Sequence, residues 1–76
     1  MVMLENIKQD GDIVLFDGYR EGKKDDHFSM AVDIVNKKII SCSSEVCIYE
    51  RQAFFKILTL SKTGEPFPEK VMSMWC

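Results

Sequence analysis

Hydrophobic positions along the chain follow two periods, and the change from one to the other separates a strand-forming stretch from a helix-forming stretch. From His27 to Val35 the alternation is clean. Phe28, Met30, Val32 and Ile34 share one side, and Ser29, Ala31 and Asp33 share the other, as on a half-buried strand. Ahead of it, Ile13-Val14-Leu15-Phe16 follows the turn signal Asp10-Gly11-Asp12 and predicts a strand over about residues 12–19, with a bulge or bend at Gly18. A tight hairpin at Asp17-Gly18 is the competing reading, but Tyr19-Arg20-Glu21-Gly22 has one apolar residue and no hydrophobic face to pair. Residues 20–26 therefore read as a charged loop. Residues 1–9 fit either one helical turn through Leu4 and Ile7 or a short strand through Val2 and Leu4, and are taken as a lead-in segment.

A turn around Asn36-Lys37-Lys38 leads to a third strand, Ile39-Ile40-Ser41-Cys42. A three-residue loop sets Ile34 opposite Ile40 and Val32 opposite Cys42, which keeps the apolar face continuous. A two-residue loop would place Val32 against Ser41, so the longer loop is preferred.

From Ser44 to Gly64 the period becomes helical. Glu45, Gln52, Lys56, Thr59 and Thr63 occupy a polar wedge about 60° wide, and most of the remaining circumference is apolar. Val46, Ala53, Ile57 and Leu60 form one stripe, with Cys47, Phe54 and Leu58 beside it and Ile48 and Phe55 further round. Ser44, or Ser43, is the expected N-cap, and Gly64 followed by Pro66 ends the helix. Phe67-Pro68 reads as a second helix start, with Val71, Met72, Trp75 and Cys76 on one side. The resulting expectation is one α+β domain over residues 1–76: a three-stranded antiparallel meander packed on one long helix, with a short C-terminal helix.

A helix lying on a single small sheet needs only the first two of those stripes. The surplus predicts a partner surface formed by Ile48, Phe55 and Leu58 with Arg51 at its rim, in a two-fold homodimer. Chain length favours the same reading, since a domain of 76 residues hides only about 60% of its unfolded surface. Ten basic residues against twelve acidic ones leave a net charge of −2, and the basic residues are dispersed, so no electrostatic footprint for nucleic acid appears. No secretory signal and no apolar run of membrane-spanning length is evident. Three cysteines without pattern argue against a disulfide framework and for a cytoplasmic, reducing setting.

Candidate chemistry is sparse. Cys47, at the third position of a helix capped by Ser44, would have its thiol acidified by the helix amino end, and the chosen register carries His27 to the same end of the sheet. That pair defines the enzymatic alternative, a thiol-dependent enzyme or redox protein. An inert core thiol is the preferred reading, because Cys47 lies in an apolar stripe and Glu45 and Glu50 oppose a thiolate. Glu50, between two apolar stripes, is a candidate general acid if burial raises its pKa, and otherwise a structural carboxylate.

Asp25-Asp26-His27 and the Asp10, Asp12, Asp17 set lack zinc or calcium spacing, so neither metal nor cofactor is expected; the three aspartates read as turn chemistry. Lys23-Lys24 and Lys37-Lys38, with Tyr19 and Phe28 near the first pair, leave weak single-stranded nucleic-acid binding as a third class. The expected core is Leu15, Phe28, Met30, Val32, Ile34, Ile40, Val46, Phe54, Ile57 and Trp75, with Lys23, Asp25, Lys37 and Lys56 exposed. The leading expectation is a non-enzymatic, self-associating interaction domain.

Overall fold

Strand alternation begins earlier in the chain than the sequence predicts. In a computed structural model, which describes residues 1–74, the elements are β1 (Val2–Asp10), β2 (Ile13–Arg20), β3 (His27–Asp33), β4 (Lys38–Cys42), α1 (Ile48–Ser61) and β5 (Lys70–Ser73). The strands form one antiparallel sheet in the order β4-β3-β2-β1-β5, and α1 packs across one face. The expected three-stranded meander is thus a five-stranded sheet, and the expected C-terminal helix is absent among the described residues. Trp75 and Cys76 lie outside those residues.

Both added strands have local causes. β1 pairs with β2 on either side of a bulge between Glu5 and Lys8. Val2 and Leu4 point into the core before the bulge, and Ile7 re-enters within it. The extra residue turns a spacing of two into a spacing of three, so Leu4 and Ile7 imitate a helical turn. β5 lies along the free edge of β1, with Leu4 opposite Val71 and Val2 opposite Ser73. Val71 and Ser73 turn toward the core side while Met72 turns out, a period of two in a stretch read as helical. Pairing fills β1's backbone donors and acceptors, which an isolated short helix would leave open.

Gly18 is neither bulge nor bend. It pairs in register with Leu4 on one side and Phe28 on the other, and the Phe28 ring lies across it so closely that a Cβ would fall 2.3 Å from Cζ. The glycine is the space in which a core aromatic rests.

The β3–β4 register also differs from expectation. Met30 faces Cys42 and Ala31 faces Ser41, but a shift then sets Val32 against Ile39 and Asp33 against Lys38. Asp33 accepts hydrogen bonds from Val35 N–H (3.0 Å), Asn36 N–H (2.9 Å) and the Asn36 amide (2.8 Å), which ends the strand there and starts a four-residue loop. Ile40 falls in the shifted segment and is exposed rather than buried.

The core consists of Val2, Leu4, Ile7, Val14, Phe16, Phe28, Met30 and Val32 from the sheet with Ala53 and Ile57 from the helix. Ile34 and Phe54 pack at its margin. Leu15 and Val46 were also expected inside and are exposed, Leu15 because strict alternation in β2 points it away from the helix. Lys23, Asp25 and Lys37 are exposed as expected, whereas Lys56 is partly covered.

Candidate functional site

Helix α1 begins three residues later than a Ser44 cap predicts. Ser43 is held to β3, its N–H donating to Ser29 C=O (2.9 Å) and its Oγ accepting from Ser29 N–H (2.8 Å). Ser44 Oγ donates to Glu50 (2.9 Å) and accepts from Arg20 (2.9 Å). Tied to the sheet in this way, neither serine starts the helix, and Cys47 is the N-cap. Cys47 is therefore an exposed cap residue, not a thiol at the third helical position.

His27 is separated from it by the sheet. Tyr19 and His27 are a cross-strand pair one position along from Gly18 and Phe28, so they occupy the face opposite the helix, where their rings stack at 5.7 Å. The geometry does not bring Cys47 and His27 together. Asp26 is engaged by Arg20 at 2.7 Å, and among the described residues no three His, Cys, Asp or Glu side chains converge as a metal site.

Glu50 is fully buried and completely partnered. It accepts from Arg20, from Ser44 and from Cys47 N–H (3.0 Å), the last of these closing the first helical turn. Burial pushes its pKa up, but its own backbone N–H, Arg20, Ser44 and Cys47 N–H together outweigh burial and hold it below the usual carboxylate range. A carboxylate so stabilised stays ionised, the reverse of what a general acid requires. Arg20 also lies over the Phe28 ring at 5.0 Å, and Tyr49 donates to Glu21 at 2.7 Å. These contacts tie the amino end of α1 to the β2–β3 end of the sheet.

The outward face of α1 carries the expected partner residues. Ile48 is 50% exposed and Phe55 47% exposed, Arg51 is exposed beside them, and Leu58 is half-buried at the boundary with the core. Ile48 and Phe55 are seven residues apart, hence two turns and about 10 Å along one side of the helix. The segment expected to form a short terminal helix is strand β5, which belongs to the sheet and does not lie over them.

The basic doublets sit at opposite ends of β3, Lys23-Lys24 in the connection before it and Lys37-Lys38 where the following loop enters β4, and Lys24 is committed to Glu5 and to the Tyr19 ring at 4.3 Å. They do not form one basic surface.

A further group of residues escaped the sequence reading. Asp17 lies inside β2 rather than in a turn, on the sheet face away from the helix. It accepts hydrogen bonds from the Asn6 amide (2.9 Å) and the Ser29 hydroxyl (2.8 Å). Asn6 reaches it from the β1 bulge, where its φ is +54°, a left-handed conformation that Asn tolerates better than most residues. The sequence signal was Asp17 directly after an apolar strand run, masked by the adjacent Gly18, which mimics a turn.

No protein-family model matches the chain, and no similar curated protein or solved structure was found.

Proposed function

We propose that this chain is a non-catalytic protein-interaction domain of the cytoplasm that pairs with a second copy of itself through the outward face of α1. The observation carrying this reading is the exposure of Ile48 and Phe55 on a helix whose opposite side is buried, with no described element covering them. The 14-residue helix is about 21 Å long, the full width of a molecule measuring 29 × 22 × 21 Å, so its face can serve as one continuous contact. No helix among the described residues is long and apolar enough to cross a membrane, which leaves association with another protein as the simplest use for that face. The free thiols of Cys42 and Cys47 suit a reducing compartment.

Charge favours an antiparallel pair. Glu45 lies three residues ahead of the helix, toward its amino end, and Lys62 lies at its carboxyl end. Two helices crossing antiparallel at Phe55 bring Ile48 level with the partner's Lys62, whose alkyl stem can cover it while its charge approaches Glu45. Arg51 comes level with Thr59, not with another Arg51. A net charge of −2 opposes such pairing only weakly.

Light scattering under reducing conditions tests the reading. The unmodified chain is expected to be a dimer and Phe55→Glu a folded monomer. A monomer at the highest soluble concentration overturns it, and dimers seen only after oxidation assign the association to a disulfide.

A further inference from the structure

The sheet face turned away from α1 holds a hollow of about 530 Å³, within the range of roughly 300–1,000 Å³ typical of small-molecule sites. Its floor follows from strand register. Leu15 pairs directly with Ala31, and two residues along the same face Asp17 pairs with Ser29. An apolar pair is thus followed, about 7 Å further on, by a carboxylate and a hydroxyl. Leu15 is 46% exposed, so the apolar part is open to a ligand.

Asp17 is fixed in place without a salt bridge of its own among the described residues. Its two hydrogen bonds come from neutral groups, the Asn6 amide and the Ser29 hydroxyl. The Asn6 bond, followed by Ser29 and the more distant His27 charge, holds its pKa below the usual range against the opposing effect of burial. A carboxylate has about four acceptor positions, so two stay open. Lys8 also lines the hollow, but it pairs with Leu15, one row away from Asp17.

We propose that this hollow binds a small organic cation, an ammonium or guanidinium on a short alkyl stem, with its charged head on Asp17 and its stem across Leu15 and Ala31. Charge complementarity selects the head, since an ionised carboxylate already oriented by two donors can take a guanidinium in a two-bond contact without reorganising. The spacing of the two pairs selects the stem, because about four methylenes cover the distance from the carboxylate to the apolar floor.

Amide chemical shifts of the full chain, titrated with agmatine, test the proposal. Saturable shifts are expected at Ala31, Ser29 and Asp17, with affinity falling at least about tenfold in Asp17→Asn. Leu15→Lys removes the apolar floor and adds a second ammonium beside that of Lys8, and should abolish binding. It also serves as the reading if Asp17→Asn fails to fold. A capped tripeptide containing arginine distinguishes the source: binding as tight as agmatine assigns the cation to a peptide side chain, and absence of binding assigns it to a free small molecule. Three results overturn the proposal: no saturable shift with agmatine, equal binding of an uncharged urea analogue, or unchanged affinity in a folded Asp17→Asn.

Discussion

The two faces of the sheet are built from the same strands and differ in almost every physical respect. On the covered face Val14, Phe16, Phe28, Met30 and Val32 meet Ala53 and Ile57, and the buried carboxylate Glu50 is surrounded by donors that include a guanidinium. On the bare face Leu15 and Ala31 lie among Asp17, Ser29 and Ser41, and Asp17 is hydrogen-bonded only by neutral groups. The contrast separates a charge used to assemble the fold from a charge left available to something outside it. Removing a buried ion from its partners is costly, whereas a carboxylate already hydrated can exchange water for a ligand at little expense to the fold.

Substitutions on each side sharpen this contrast. The largest effect is expected at Gly18, where any side chain must displace the Phe28 ring. Gly18→Val should cost more than about 4 kcal/mol, enough to unfold a domain of this size, and a cooperative denaturant transition near that of the unmodified chain would show that the ring moves aside freely. Next comes Glu50→Ala, which leaves partly buried Arg20 with Asp26 as its remaining ionic partner and empties a fully buried position; it should cost roughly 3 kcal/mol, read as a lower denaturation midpoint with unchanged slope.

The sign of the pH effect is fixed by the lowered folded-state pKa of Glu50. Its contribution is complete above its unfolded value, near about 4.3, and is lost as acidification proceeds through the folded value. Glu50→Gln should therefore flatten the acid limb of stability, and an unaltered limb would assign acid unfolding to other carboxylates. On the bare face Leu15→Thr should change stability by less than about 0.5 kcal/mol. A large loss there would mean that the outer face supports the fold after all.

What the sequence revealed follows the strength of each local signal. β3 was legible because its alternation is unbroken, and α1 because its period persists for nearly four turns. β1 was not, because its bulge inserts a residue and converts strand spacing into helix spacing. β5 was not, because four residues carry too little pattern and the edge that recruits them is supplied by a strand from the other end of the sequence. The helix start was displaced by contacts distant in sequence: Ser43 and Ser44 are good caps in isolation, but Ser29, Arg20 and Glu50 engage them first. Ile48 and Phe55 were legible as surplus apolar positions because they depend only on helical geometry. Asp17 was hidden by its neighbour, since Asp-Gly signals a turn unless one knows that an aromatic ring lies over the glycine.

The pairing of β5 with β1 also has a kinetic consequence. Strands β1 to β4 are joined by short connections and can assemble from contacts close in sequence, whereas Leu4 meets Val71 only after nearly the whole chain has been brought together. β5 is thus expected to dock last, and until it does the outer edge of β1 is an open template on which the β5 of another molecule can settle equally well. Refolding at high protein concentration should then yield exchanged assemblies that refolding at low concentration avoids, and β5 amides should acquire hydrogen-exchange protection after those of β2 and β3.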